Sequence, residues 1–182
     1  MAVNKMLYQS IANSTAHRPI RDYNAGLIFE NPELLKDLIA VALDVSDKHH
    51  HKACWILELV LERHIGWLSP HLDDFCAKLP LLKHDGAMRS MAKICQFAAE
   101  RHLERRDFLN ESHLKSIAET CFDWLIGQAK VATKAYAMRA LYQIGKLQDW
   151  VYPELQSILE MGYPDHSAAY KAASKDILRR IR

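Results

Sequence analysis

The residues of this sequence best suited to chemistry are cations, and the chemistry they suit is the binding of anionic groups. Arg89, Lys134 and Lys171 stand at one angular position of three predicted helices, about 100° from the apolar side at about 100° per residue. Lys93 and Lys175 follow one helical turn later on the same side. We therefore expect these five side chains to lie exposed in one stripe and to form a positive binding surface. The alternative interpretation is a solvated face that has no partner.

A metal site is the second kind of chemistry that the sequence suggests. Three consecutive histidines, His49 to His51, precede Cys54, and His50 lies one helical turn before this cysteine. A structural zinc site needs about four ligands in paired clusters, and no second cluster accompanies this one. We therefore predict no metal, no cofactor and histidines that lie near a helix start. The cysteines have no Cys-x-x-Cys spacing and are expected to be buried, reduced thiols: Cys54, Cys76, Cys95 and Cys121.

Catalytic motifs are absent from the sequence. It contains no Gly-x-Gly-x-x-Gly, no phosphate-binding loop and no nucleophile elbow. A chain of this size holds many His, Asp and Ser side chains, and no motif favours a particular triad among them. We assign no catalytic residues, and the sequence favours a function other than catalysis.

The composition is that of an ordinary globular protein. The 182 residues are 49% hydrophobic and 25% charged, and the six Gly and six Pro are few enough for long helices with short connections. The longest aliphatic run, 38–43, is too short to span a membrane. Residues 1–9 contain no secretory apolar core, so we expect a cytoplasmic protein with no membrane partner.

A repeat in the sequence marks the starts of the helices that belong to each repeat unit. A short helix-start signature occurs four times, at spacings of 38, 42 and 41 residues. Each copy begins with Pro or Ser, which suit a first helical turn because its N–H groups have no partner there. Asn31, Ser69 and Asn110 lie nearby as candidate N-caps. The four copies are Pro32-Glu33-Leu34, Pro70-His71-Leu72, Ser112-His113-Leu114 and Pro153-Glu154-Leu155.

A second helix follows each of these starts. It is marked by a basic residue at offsets of 20, 19, 22 and 18 residues: Lys52, Arg89, Lys134 and Lys171. A unit of about 40 residues with two helices is the period of HEAT and armadillo repeats. The sequence thus predicts an all-α superhelix, a HEAT/armadillo-like solenoid in a single domain over 1–182. Residues 31–182 would form four helix pairs, and residues 1–30 a shorter N-terminal capping pair.

Charge separates the two helices of each predicted pair. The first helices, 31–46, 69–83, 110–128 and 149–161, hold four basic and eleven acidic residues, a balance of −7. The second helices, 47–64, 85–106, 130–147 and 165–182, hold seventeen basic and eight acidic residues, a balance of +9. We expect one positive and one negative face, with the second helices on the concave side.

The sequence resembles a group of small bacterial HEAT-like proteins of about this length. Many of them are labelled adenylosuccinate lyase, although lyases of that superfamily are longer and carry a Ser-Ser-x-Met-Pro-x-Lys-x-Asn loop. This chain contains no Ser-Ser and no Met-Pro. The resemblance brings no catalytic residues with it. It covers nearly the whole chain and rests on the segments 31–34, 53–58, 70–73, 92–95, 121–124 and 150–155.

The leading hypothesis for function is a non-enzymatic scaffold that binds another macromolecule, with a protein as the expected partner. The alternative is nucleic-acid binding, or base excision like that of HEAT-like bacterial alkyl-base DNA glycosylases, and it rests on analogy of fold. Those enzymes have more repeats and an acidic residue beside groove aromatics, a constellation that the sequence alone does not place. A remote alternative is the lyase activity of the label. The oligomeric state stays open.

Overall fold

Ten α-helices make up the part of the chain that the structure describes. The structure is a computed structural model and describes residues 3–162 and 167–181, so residues 165, 166 and 182 of the last predicted helix lie outside it. The predicted all-α fold is confirmed, since the described residues contain no β-strand. None of their helices has the length and apolar character that crossing a bilayer requires. The helices are α1 Lys5–Asn13, α2 Arg18–Glu30, α3 Leu35–Leu43, α4 His50–Arg63, α5 Leu72–Lys78, α6 Asp85–Arg105, α7 Glu111–Ile126, α8 Val131–Ile144, α9 Val151–Gly162 and α10 Ala168–Ile181.

Two of the first helices are entered through 3₁₀ turns that hold the prolines of the repeat. Pro32–Leu34 leads into α3, and Ile65–His71, which contains Pro70, leads into α5. A proline has no N–H to donate and its ring fixes φ, so it suits the beginning of a helical segment. The helices α7 and α9 begin without such a turn. All four helix starts predicted from the repeat are confirmed, as are the four second helices and the N-terminal pair.

The predicted N-caps are correct at one position of three. Asn110 accepts the N–H of His113 on its side-chain oxygen at 2.8 Å, and the N–H of Asn110 donates to His113 Nδ1 at 3.3 Å, which makes a capping box. Asn31 instead donates from Nδ2 to the carbonyl of Leu27 at the end of α2. Ser69 lies inside a 3₁₀ turn. These two cap predictions are wrong because the chain enters α3 and α5 through 3₁₀ turns.

The chain divides into two compact units, residues 1–91 and 92–182, and α6 begins in the first and ends in the second. We call them the amino-terminal and the carboxy-terminal unit. In the amino-terminal unit, α4 packs against both α2 and α3. Its core is filled by side chains from these helices and from α5, among them Ile28, Leu38, Ile56, Leu57 and Phe75.

The carboxy-terminal unit is organised around α8, which packs against α7, α9 and α10. Its buried side chains recur at helical spacing, so that each helix turns one apolar stripe inwards. They include Ile117 and Cys121 of α7, Leu141 of α8, Leu155 of α9 and Tyr170 of α10. These stripes are the ones from which the angular positions of the cations were predicted.

All four cysteines are free and buried, which confirms their prediction as core thiols. Burial raises the pKa of the Cys54 thiol, and it raises that of Cys76 to about 12. A thiol with a raised pKa forms little thiolate near neutral pH, and the thiolate is the reactive species. These two cysteines are therefore inert packing residues.

Candidate macromolecule-binding surface

The five predicted cations fall into both units of the molecule. Arg89 belongs to the amino-terminal unit, and the other four belong to the carboxy-terminal unit. Lys175 on α10 is exposed, whereas Lys93 on α6 and Lys171 on α10 are half-buried. The ammonium of Lys93 lies 5.3 Å from the ring centroid of Phe97, one turn along the same helix. These three residues keep the solvent access that binding requires.

Lys134 is buried, with only 7% of its surface exposed, so the prediction that it is exposed is wrong. The cause of this burial is the way in which its helix packs. Because α8 packs against α7 and α10 as well as α9, a position that would be open on a terminal helix is covered on α8. Burial lowers the pKa of the Lys134 ammonium, since the charged form loses water.

Arg89 is neutralised, which is the second correction to the predicted stripe. Its Nη1 lies 3.0 Å from Oε2 of Glu58, a residue of α4 that is only 2% exposed. The hydroxyl of Ser90 donates to the same oxygen at 2.6 Å. A carboxylate this deeply buried needs such partners, because an unpaired charge is costly away from water. Arg89 therefore serves the packing of α4 against α6, and its role in binding a partner stays a prediction.

Glu58 was missed by the sequence analysis, although a signal was present. It is the one polar residue in the run Trp55–Leu61, in which all the remaining residues are apolar. Trp55 lies three residues before Glu58 on α4, so both side chains project from one face of the helix. The ideal Cβ of an alanine at Gly86 would meet Nε1 of Trp55 at 2.7 Å, so α6 approaches the indole closely because residue 86 has no side chain. Glu58 and Arg89 thus form an ion pair between α4 and the beginning of α6, and Trp55 lies against Gly86 between the same two helices.

Histidine rings extend this arrangement towards the helix starts. His51 stacks on His84 with ring centroids 4.0 Å apart and a 14° angle between planes, and His51 meets Trp55 edge-on at 5.1 Å. The N–H of Gly86 donates to Nδ1 of His84 at 3.0 Å. Burial, followed by the charge of His84, lowers the pKa of His51 to about 4, and the same two causes lower that of His50. The predicted helix start at these histidines is confirmed.

In the carboxy-terminal unit, three cations lie over two tyrosine rings of α8. The cations come from α8, from the turn that follows it and from α10. The guanidinium of Arg139 is 5.3 Å from the centroid of Tyr136. Tyr142 has two such neighbours, the ammonium of Lys146 at 4.6 Å and the guanidinium of Arg180 at 5.8 Å. The three cations are exposed and the two tyrosines half-buried. We call these five residues the cation–tyrosine surface.

Tyr142 is held in place from one side by Tyr152 of α9. Their rings stack at 6.0 Å and 22°, and the hydroxyl of Tyr152 donates to the backbone carbonyl of Tyr142 at 3.0 Å. A Cβ on Gly145 would lie 2.1 Å from two carbons of the Tyr152 ring, so only glycine leaves room for it. Burial raises the pKa of Tyr152 and keeps its hydroxyl a donor. The position of the Tyr142 ring is thus fixed by packing.

Further basic side chains with access to solvent lie along α10. Lys171, Lys175 and Arg179 follow one another at intervals of four residues, about 6 Å along the helix axis. Asp176 forms ion pairs with Arg179 at 3.0 Å and with Arg180 at 2.9 Å, and these hydrogen bonds lower the pKa of its carboxyl group. One acid is thus shared between two arginines. The helix retains positive charge for a partner.

The histidine cluster is the place where the sequence suggests ligands for a metal ion. Within residues 3–162 and 167–181, no three His, Cys, Asp or Glu side chains are grouped so that they could hold a metal ion. The stacked rings of His51 and His84 contact each other face to face, and the acids Asp44 and Asp47 act on His50 only through their charge. Among the described residues, this cluster is an arrangement of packed histidine rings.

Comparison with protein families relates this geometry to a known architecture. The profile of the HEAT repeat domain matches residues 3–181. The chain belongs to the HEAT repeat family. Comparisons with curated proteins and with solved structures find no match. HEAT repeats stack helix pairs into extended binding surfaces. The second helices of this HEAT repeat protein are therefore the candidates for its binding surface.

Proposed function

We propose that this HEAT repeat protein is a non-enzymatic scaffold that binds an acidic macromolecule through the exposed cations of α8 and α10. The observation that carries the proposal is the surface of the carboxy-terminal unit, where Arg139 on α8, Lys175 on α10 and Lys146 in the turn after α8 are exposed. Solenoid repeats commonly present such surfaces to partners, and charge complementarity sets specificity and the rate of association. The expected protein partner and the nucleic-acid alternative share this acidic chemistry.

A charge-reversal experiment tests the proposal. The variant Lys93→Glu/Lys175→Glu changes two predicted binding cations that have solvent access. We expect weaker binding of labelled polyanions at low salt. The change at exposed Lys175 should cost no more than about 0.5 kcal/mol of stability, and circular dichroism checks that the double variant, which also loses the contact of Lys93 with Phe97, is folded. The matched control is Lys115→Glu on α7, an exposed lysine of the same unit but of a first helix. Polyanion binding that is absent in the parent protein, or equal in all three proteins, would contradict the proposal.

Salt dependence distinguishes the kinds of acidic partner. A nucleic acid releases condensed counterions when its phosphates are neutralised, so the log of affinity falls with log salt by about 0.9 per phosphate contact on a duplex. With an acidic protein, salt mainly slows association. Titration at several salt concentrations and stopped-flow association rates separate the two cases.

A second candidate function, base excision on DNA, is favoured by one observation. Trp55 and Glu58 lie three residues apart on α4, and Arg89 of α6 forms an ion pair with Glu58, so that an aromatic ring, a carboxylate and a cation occur on two consecutive second helices. A ring attracts a positively charged alkylated base by cation–π interaction, and a carboxylate stabilises positive charge that develops on the sugar. Glu58 is nearly inaccessible and already bonded to two partners, so this candidate ranks second. Release of alkylated bases from alkylated DNA, lost in Glu58→Gln, would raise it to first place.

The lyase label gives a further testable expectation. We expect no cleavage of adenylosuccinate, because the sequence has no Ser-Ser pair and no Met-Pro dipeptide from which a lyase loop could be built. Spectrophotometric assay of the purified protein checks this. The cytoplasm also remains the proposed compartment, in keeping with four buried thiols that form no disulfide.

A further inference from the structure

We propose that the acidic macromolecule is a single-stranded nucleic acid, whose bases stack at the cation–tyrosine surface while its phosphates follow the cations of α10. This inference rests on the proposed function and names its partner. It is independent of Glu58, which lies in the other unit.

The first argument is that rings and cations alternate along α8. Tyr136, Arg139 and Tyr142 are spaced by three residues and occur on successive turns of α8, and Lys146 follows four residues after Tyr142 in the turn that ends the helix. Each cation lies over a ring, at 5.3 Å and 4.6 Å from the centroids. Proteins that bind single strands without sequence preference combine these two features, since every base has a face that can stack on an aromatic ring or a guanidinium plane.

The second argument is that Tyr142 is preorganised. Tyr152 stacks on it and bonds to its backbone, and Gly145 provides the space for the Tyr152 ring. A ring held in this way loses little conformational freedom when a base adds to the stack. Arg180 and Lys146 supply charge at the same ring. The site thus offers stacking and phosphate contacts at one place.

The third argument concerns the other acidic partners. An acidic protein surface is satisfied by exposed cations alone, which leaves the pairing of cations with tyrosines unused. A duplex keeps its bases stacked inside, so it offers such a surface its backbone and the base edges in its grooves but no base face. A single strand uses both the rings and the three cations Lys171, Lys175 and Arg179 of α10.

The experiment compares three labelled probes by fluorescence anisotropy at low salt: oligothymidylate, its duplex with oligoadenylate, and poly-L-glutamate. We expect the intact protein to bind oligothymidylate most tightly. Tyr142→Leu should weaken oligothymidylate binding about tenfold, and Tyr142→Phe should stay close to the parent because it keeps the ring. Poly-L-glutamate binding should be unchanged in Tyr142→Leu. Arg180→Gln, a milder change, should weaken the single strand more than poly-L-glutamate.

The controls separate failure of this inference from failure of the proposed function. Lys115→Gln removes an exposed cation of α7 and should affect no probe, and circular dichroism checks that each variant is folded. Equal oligothymidylate binding by Tyr142→Leu and the parent, or preference for the duplex or for poly-L-glutamate, overturns the single-strand inference and leaves a general polyanion surface. If no probe binds at low salt, the proposed function fails as well. Should Tyr142→Leu not fold, Arg180→Gln alone decides between these outcomes.

Discussion

The amino-terminal and carboxy-terminal units differ in whether the charged side chains of their second helices are paired inside the unit or exposed to solvent. Residues 47–64 carry three basic and three acidic side chains, and the acid Glu58 turns inwards to hold Arg89 of the next second helix. Residues 130–147 carry four basic side chains and no acid, and Arg139 and Lys146 lie exposed over tyrosine rings. One unit therefore neutralises charge between its helices, while the other presents it to solvent.

The position of a cation in the repeat therefore does not fix its environment. Arg89, Lys134 and Lys171 occupy matching places in the repeat, yet they are ion-paired, buried and half-buried respectively. The environment depends on which neighbouring helix faces the position and on what that helix carries there. Four sets of variants test this difference between the two units.

The largest expected effect is at the buried ion pair. Glu58→Ala should lower the free energy of unfolding by about 3 kcal/mol, because it leaves Arg89 and Ser90 without their shared acceptor and opens a cavity. Asp176→Ala removes an acid that is also paired with arginines but is exposed, and should change stability far less. Urea denaturation of both variants measures the contrast. Equal losses would show that the two units do not differ in this respect.

The second effect is a dependence of stability on pH that originates in the amino-terminal unit. The pKa of His51 is lowered to about 4 in the folded protein, so between about pH 6.5 and 4 the unfolded chain binds more protons than the folded one. Stability is therefore complete above about pH 6.5 and is lost as the pH falls, by about 2 kcal/mol once partial exposure is allowed for. Neighbouring charges on His51 come from His84, His50, Lys52 and His49.

A ring that does not titrate tests this origin. His51→Phe should keep the stacking on His84 and flatten the acid limb of the stability curve. His17→Phe, at an exposed histidine of the same unit, should leave the curve as it is. Thermal unfolding from pH 7 to pH 4 measures both. A parent protein equally stable across this range would contradict the expectation.

The third effect concerns one glycine in each unit. Gly145→Ala should destabilise the carboxy-terminal unit by about 1.5 kcal/mol, because the new methyl group overlaps the Tyr152 ring, which is itself fixed by a hydrogen bond. In Gly86→Ala the new Cβ would lie 2.7 Å from Nε1 and 3.2 Å from Cε2 of Trp55, and 3.2 Å from Cε1 of His84. The higher helix propensity of alanine offsets part of this cost. Gly66→Ala meets open space and serves as the control. The order of the three midpoints in urea is the readout.

The smallest effect is a gain in stability at the end of α6. Arg106 has φ 56°, the left-handed conformation that ends many helices and that glycine adopts without steric cost. Its N–H donates to the carbonyl of His102 at 2.7 Å, so the conformation is part of the helix end. Arg106→Gly should stabilise the protein by about 0.5 kcal/mol, the relief of strain exceeding the entropy added to the unfolded chain. A lower melting temperature would argue against strain.

Helix starts were predictable because their signals are local. Pro32 and Pro70 act through their own ring and missing N–H, and Asn110 acts on a backbone group three residues away. The failed caps at Asn31 and Ser69 show the limit of this reasoning. Whether a chain enters its helix directly or through a 3₁₀ turn depends on how the following helix packs.

The candidate site was predictable only in part. Sequence alone determined the stacked helix pairs, the apolar stripe of each helix and the excess of positive charge on the second helices, since periodicity and composition are properties of one segment at a time. Tertiary structure decided which cations reach solvent. Lys134 is covered because α8 packs between other helices. Arg89 forms an ion pair with Glu58, which lies 31 residues before it, and Arg180 of α10 lies over the ring of Tyr142. Burial and ion pairing depend on the partner that a neighbouring helix brings, and a single helix does not contain that information.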